Sequence, residues 1–311
     1  VNNLAAVQPA DDQPMASEAV IDVRGLRKVF KGGKEALRGV DLKIPRGTVL
    51  GLLGKNGSGK TTLIKCMLGL LRPTYGSVTI LGENAWDLSA GAKARLGYVP
   101  QVVSLYPWMK VKHILPYTAA FYQDWNHGLI ADLVRRWEVP PDDRISTLSV
   151  GTLQKLAILL SLGHEPELLI LDEPAASLDP VARREFLAEV LNVADEADRT
   201  VLFSTHITSD IERVADTVAI LTDGKITYHG ELGELKDAVK RLHLTSEHTL
   251  PAAFAVPGAL ACRIDGSRAV ISVRNVTPEL VSELRAQWRA EVEVEDLNLE
   301  DIFLELHQSA P

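Results

Sequence analysis

The sequence predicts an α/β fold, a mostly parallel sheet with an inserted helical piece, followed by a small α+β piece. Three observations lead to it. Val49-Leu50-Gly51-Leu52-Leu53 is an apolar strand that runs through a glycine-rich loop into the helical stretch Leu63-Ile64-Lys65-Cys66-Met67-Leu68. Leu168-Leu169-Ile170-Leu171 is a continuous apolar run, the pattern of a central parallel strand covered on both faces. The 311 residues leave room for one large domain and one small one.

The elements follow in order. Residues 20–23 and 26–30 read as extended, and Lys31-Gly32-Gly33-Lys34 as a turn. Residues 36–44 alternate apolar and polar side chains, as a half-buried strand does. Beyond the glycine-rich loop, β-branched Val78, Thr79 and Ile80 mark a strand over 77–81, and residues 96–101 form a short strand ending in a loop. The texture then changes. Residues 111–137 read mostly as helix, and nearly half of the chain's aromatic residues fall between Tyr98 and Trp137. These aromatics either form a small helical core, or Tyr106, Trp108 and their neighbours line a groove for another protein's helix. An amphipathic helix over 180–193, a strand over 200–204 and a helix over 208–214 come next. Residues 218–221 and 225–229 flank Thr222-Asp223-Gly224, a hairpin turn. After residue 245 a hairpin about Asp265-Gly266, a helix opened by Thr277-Pro278-Glu279, an alternating strand over 291–295 and a helix over 299–307 make a β-β-α-β-α piece. The expected division is a flexible extension over 1–19, a main domain over 20–244 with its helical insert at about 102–165, and an accessory domain over 245–311.

Composition narrows the function. A net charge of −8 opposes broad nucleic-acid binding, so no nucleic-acid partner is expected. No apolar run is long enough to span a bilayer, and residues 1–19 lack the basic start and apolar core of a secretory signal. Any membrane role must be borrowed from a partner. Cys66 and Cys262 lie far apart without metal-ligand spacing and read as reduced, packed thiols of a cytosolic protein.

The loop Gly54, Lys55, Asn56, Gly57, Ser58, Gly59, Lys60, Thr61, Thr62 fits G-x-x-x-x-G-K-[ST] in full. Glycines let its backbone N–H groups wrap an oxygen-rich ligand, and the positive end of the following helix adds to them. Lys60 brings a charge to the β- and γ-phosphates, and the Thr61 hydroxyl suits Mg²⁺. The strand 168–171 runs into Asp172 and Glu173, two carboxylates at the carboxyl edge of the sheet. Asp172 can hold Mg²⁺ through water, and Glu173 can polarise a water for in-line attack on a γ-phosphate.

Further short segments single out a family. Leu148-Ser149-Val150-Gly151-Thr152 resembles the L-S-G-G-Q signature of ABC transporter ATP-binding subunits. Tyr98-Val99-Pro100-Gln101 resembles their Q-loop, Ala176-Ser177-Leu178-Asp179 their D-loop, and Ser204-Thr205-His206 their switch-histidine segment. Alone, Ser149 reads as a helix cap, Gln101 as a loop residue and His206 as a packed histidine. Together, in this order, they make residues 20–244 resemble one such subunit, which implies a P-loop NTPase core with an antiparallel β subdomain and a helical insert. The resemblance implies that two copies pack head to tail around two ATP molecules. Each ATP would lie between residues 54–62 of one copy and Ser149 to Gly151 of the other. It also implies that Phe30 stacks on adenine, that Gln101 reaches the metal or water, that Asp179 lies across the dimer seam, and that His206 contacts the γ-phosphate. ATP and Mg²⁺ are the implied cofactors, and a second ATP-binding subunit, as a homodimer, and a separate transmembrane permease the implied partners. The implied place is cytoplasmic, peripheral on the inner face of the membrane.

Two departures stand out. Val150 replaces the first signature glycine and Thr152 a common glutamine, while Lys155 stands near the usual arginine. If residue 150 needs a left-handed backbone, a β-branched side chain impairs transfer across the dimer; otherwise activity is retained. Asp296-Leu297-Asn298-Leu299-Glu300-Asp301-Ile302-Phe303-Leu304 resembles the S-L-E-D-I-F-L tail of bacterial export ATPases for drugs, peptides or polysaccharides, and is at the same time the apolar face of a helix. Ala120-Phe121-Tyr122 with Asp124-Trp125 is similar to the acetoin-utilisation or bacitracin-export type. A non-transport ABC ATPase and a weakly hydrolysing regulator are the alternatives.

Overall fold

The computed structural model describes residues 19–176, 178–195, 199–251 and 253–308. The expected extension over 1–19 lies, but for Ala19, outside them. The chain opens with two long strands, β1 (Ala19–Val29) and β2 (Glu35–Pro45), followed by β3 (Val49–Leu53), whose interior residues are all buried, and α1 (Lys60–Met67). Then come β4 (Tyr75–Ile80), β5 (Glu83–Asn84), α2 (Ala90–Ala94) and β6 (Leu96–Val99). The aromatic-rich stretch forms two helices, α3 (Val111–Ala119) and α4 (His127–Arg136), before α5 (Val150–Leu162) and β7 (Leu168–Asp172). The next elements are α6 (Pro180–Asp195), β8 (Thr200–Thr205), α7 (Thr208–Val214), β9 (Thr217–Thr222), β10 (Lys225–Glu231) and α8 (Leu232–Ala238). Last are β11 (Val239–Ser246), β12 (Ala259–Asp265), β13 (Arg268–Arg274), α9 (Pro278–Trp288), β14 (Ala290–Asp296) and α10 (Leu299–Gln308).

These strands make three sheets. An antiparallel sheet has the order β2-β1-β4-β5. The central sheet has the order β10-β9-β3-β8-β7-β6, parallel from β9 to β6 with β10 antiparallel at its edge. Its strands β7 and β8 are buried along their whole length, which is why residues 168–171 read as an unbroken apolar run rather than an alternation. One hydrophobic cluster joins Leu50, Leu52 and Ile170 of the central sheet to Leu63 and Ile64 of α1 and to the antiparallel sheet. A second, on the other face, collects Leu171 and Phe203 with the helical insert and with Leu299, Ile302 and Phe303 of α10. The last helix is thus part of the main core.

The third sheet has the order β12-β13-β11-β14, and α9 covers one face of it. Thr277 caps α9 by accepting the Leu280 N–H at 3.2 Å, with Pro278 in the first turn. Strand β11 pairs with β13 over Val239–Thr245 and with β14 over Lys240–Ser246. The boundary read between residues 244 and 245 falls inside this strand. The cysteine reading needs a correction: Cys66 is buried, but Cys262 is exposed because it lies on β12, the edge strand of the third sheet.

The aromatics of the insert divide into buried and exposed sets. Trp137 is buried, and the Trp125 ring covers Gly163 at the end of α5. Tyr106, Trp108, Tyr117 and Phe121 instead form an exposed ladder, with successive ring centroids 5.3 Å (Trp108 to Tyr106), 5.7 Å (Tyr106 to Tyr117) and 5.3 Å (Tyr117 to Phe121) apart. Among the described residues no helix is long and apolar enough to cross a membrane.

Candidate active site

The carboxyl ends of β3, β8 and β7, neighbours in the central sheet, bring the phosphate loop, His206 and the Asp172-Glu173 pair to one edge. Gly57 and Gly59 of the loop hold φ values of 83° and 113°, which only glycine adopts without strain. Gly54 is required for space: a Cβ there would stand 2.6 Å from the Leu221 carbonyl oxygen.

Lys60 Nζ donates to the carbonyls of Gly54 at 2.6 Å and Lys55 at 3.3 Å, and meets Glu173 Oε1 at 2.9 Å. The other Glu173 oxygen, Oε2, lies 2.9 Å from His206 Nδ1. The Lys60 and Glu173 side chains are only 6 % and 4 % exposed, so this is a buried ion pair. Glu173 itself holds φ at 50°, a left-handed conformation that is uncommon for a non-glycine residue.

Beneath them, Ser204 Oγ donates to Asp172 Oδ1 at 2.8 Å and accepts the Glu173 N–H at 2.9 Å. Thr61 Oγ1 donates to the same Asp172 oxygen at 3.2 Å. Burial pushes the Asp172 carboxyl above its ordinary value, the two hydroxyls and the Lys60 charge opposing. Among the described residues, Asp172 Oδ2 and Ser58 Oγ are buried and have no hydrogen-bond partner. A free carboxylate oxygen beside a threonine hydroxyl and a phosphate loop is a donor set that suits a hard cation carrying phosphates.

A cavity of about 510 Å³ opens over this edge. Phe30, Asn56, Gly57, Gly59, Lys60, Thr61, Thr62, Gln101 and Glu173 line it. Phe30 is exposed, as expected of a side chain offered to a flat ligand. Lys34 and Ala36 line it too. The sequence read Lys34 only as part of a turn, although a lysine four residues from Phe30 on a glycine turn was a usable signal. Ser204 was named in its segment without a role, and a serine at a strand end carries no pattern that would have marked it.

Ser149, Gly151 and Asp179 are not among the residues lining this cavity. Ser149 caps α5, its Oγ accepting the Thr152 N–H at 3.1 Å and pairing with Thr152 Oγ1 at 2.8 Å. Val150 is the first residue of α5, has no positive φ and is 61 % exposed. The backbone there does not require glycine. At residue 151 it is space that matters: a Cβ would meet Leu178 Cδ2 at 2.9 Å. Lys155, near the usual arginine, donates to the Trp137 carbonyl at 3.3 Å. Asp179 Oδ1 accepts the Ala182 N–H at 3.1 Å, at the start of α6, and Ser177 lies outside the described residues.

Comparison with known proteins places this geometry. Residues 37–176 match the family model described as ABC transporter. The chain is 32% identical over 296 residues to the ABC transporter ATP-binding protein YhaQ of Bacillus subtilis (strain 168), covering 92% of this chain and 98% of that protein. It is 30% identical to the Nod factor export ATP-binding protein I of Ralstonia nicotianae, over 94% of this chain and 95% of that one. It is 32% identical to the bacitracin transport ATP-binding protein BcrA of Bacillus licheniformis, over 67% of this chain and 68% of that one. Among solved structures, an ATP binding subunit of an ABC transporter superposes with a TM-score of 0.62 at 28% identity, covering 70% of this chain and 92% of that one. The chain therefore belongs to the ABC transporter family, as one of its ATP-binding subunits, and is an ATPase.

Proposed function

We propose that the chain is the Mg·ATP-hydrolysing motor of a membrane exporter, working as a homodimer beneath a separate transmembrane permease. The observation that carries the hydrolytic part is the Glu173 carboxylate, held between Lys60 and His206 at 2.9 Å each on the wall of the phosphate cavity. Phe30 stacks on the adenine, and residues 54–62 wrap the phosphates with their N–H groups. Lys60 leaves Glu173 for the β- and γ-phosphates. Thr61, Asp172 and Gln101 would hold a magnesium ion, which would supply positive charge to the phosphates. Glu173, released from Lys60, takes the proton of a water that attacks the γ-phosphorus in line, and the bond to the ADP oxygen breaks. His206 positions that water and the γ-phosphate.

Ser149, Gly151 and Asp179 do not line the cavity of their own chain, which supports a site completed by a second copy. The exposed ladder of Tyr106, Trp108, Tyr117 and Phe121 supports a docking groove for a cytoplasmic helix of the permease. Location at the inner face of the membrane follows from that partner. Export, rather than import, rests on relatives named for bacitracin transport and Nod factor export. The helical backbone at Val150 favours full turnover over a weakly hydrolysing regulator.

Glu173→Gln tests the reading. The variant should lose hydrolysis by about 10²–10⁴-fold and, with ATP, elute as a dimer in size exclusion. Undiminished turnover in that variant would remove Glu173 as the base, and monomers in saturating ATP would remove the shared site.

A further inference from the structure

Two loops reach the site from different strands. One runs from Glu173 to Asp179, and the other carries His206. One side chain ties down the first. Arg183, in α6, donates through Nε to the Ala175 carbonyl and through Nη2 to the Leu178 carbonyl, both at 3.1 Å. Its own N–H donates to the Asp179 carbonyl at 2.9 Å. The middle and end of the first loop are therefore tied to one residue.

The helix that carries Arg183, α6, packs against α7, which follows the second loop. Asp210, in α7, is 5 % exposed and accepts from Thr205 Oγ1 at 3.2 Å. Thr205 Oγ1 in turn accepts the Ile207 N–H at 3.0 Å, so the backbone is held on both sides of His206. Burial pushes the Asp210 carboxyl up, and the Arg183 charge is the strongest influence holding it down. A buried carboxylate is tolerated where a cation compensates it.

We infer that Arg183 is a positioning residue for hydrolysis, which through its forked contacts to Ala175 and Leu178 and its charge on Asp210 holds the Glu173–Asp179 loop and the His206 segment in one arrangement. It does not line the phosphate cavity. Its effect is on where Glu173, Asp179 and His206 stand, and it rests on the proposed ATPase mechanism. A lysine keeps the charge but cannot donate in a planar fork to two carbonyls three residues apart.

The test uses the full chain and the variants Arg183→Lys, Asp210→Asn and their combination. In Arg183→Lys, kcat should fall by about tenfold or more while KM for ATP stays within about twofold, because misplacing catalytic groups slows the chemistry without touching the phosphate loop. In nucleotide-free protein, amide hydrogen exchange should quicken in segment 175–179 of Arg183→Lys and in segment 205–208 of Asp210→Asn, with β3 unchanged. The double variant should lose little more turnover than Arg183→Lys alone, since the two residues act as one unit. Wild-type kcat with unchanged exchange in Arg183→Lys would overturn the inference, as would strictly additive losses. A wild-type chain without turnover would refute the ATPase reading instead, and the exchange measurements would still decide the bridge.

Discussion

Lys60 and Glu173 neutralise each other before any nucleotide arrives, so ATP competes with a carboxylate tethered a few ångströms away. Removing the charge of that competitor should help binding. Glu173→Gln is expected to bind ADP about tenfold more tightly than the parent, by analogy with the loss of one charge-assisted hydrogen bond. ADP avoids both hydrolysis and γ-phosphate contacts, and calorimetric titration reads the result. Unchanged or weaker ADP binding would mean the ion pair does not oppose the ligand. Ser204 offers a second check at this scale. Its hydroxyl is the hydrogen-bond partner of the buried Glu173 N–H and supports Asp172. Ser204→Ala should destabilise the fold by about 1–3 kcal/mol, read as a lower denaturant midpoint. Lys60, Thr61 and the two acids were legible in the sequence because spacing and an apolar strand mark them. Ser204 was not, because its role exists only once β7 and β8 lie side by side.

At the scale of elements, the types and order of the strands were readable where burial leaves a period, as in residues 168–171 and 49–53. Sheet membership was less so. Strand β11 follows α8 directly, without glycine or proline to mark a change, and its place between β13 and β14 is set by partners far along the chain. Residue 163 illustrates a constraint hidden from sequence altogether: a Cβ there would lie 2.3 Å from the Trp125 ring. Gly163→Ala should cost about 1–3 kcal/mol of stability through overpacking, seen as a lower melting temperature. Glu167 ties the turn after β2 to the start of β6, pairing with Arg95 and with Arg46. Chiefly through Arg95, its carboxyl is lowered from 4.5 to about 2. A carboxyl lowered in the folded state adds stability that is present above pH 4.5 and lost as the pH falls toward 2. Solvent screens the pair, since Glu167 is 43 % exposed, so the effect is modest. Glu167→Gln should flatten the acid limb of stability over that window, measured by urea unfolding at several pH values; a limb identical to the parent's would exclude this contribution.

At the scale of the molecule, α10 joins two parts that the sequence read as separate. Leu299, Ile302 and Phe303 sit in the same cluster as Ile211 of α7 and Phe203 of the central sheet. Glu212 of α7 accepts the Leu299 N–H at 3.0 Å and pairs with Lys236 of α8 at 2.8 Å. The motif over 296–304 therefore has a packing role whatever else it does. Ile302→Ala, at a fully buried position, should lower stability by about 2–5 kcal/mol, and the loss should appear in probes of the main domain as well as of the third sheet. Order of synthesis gives this arrangement a further meaning. Domains generally fold as units while the chain is being made, the N-terminal ones first. Here the apolar patch around Ile211 stays uncovered until the whole third sheet has been made and α10 follows it. The nascent ATPase passes through a stage with its phosphate loop already built and part of its core still open to water, the stage at which a chaperone would find it.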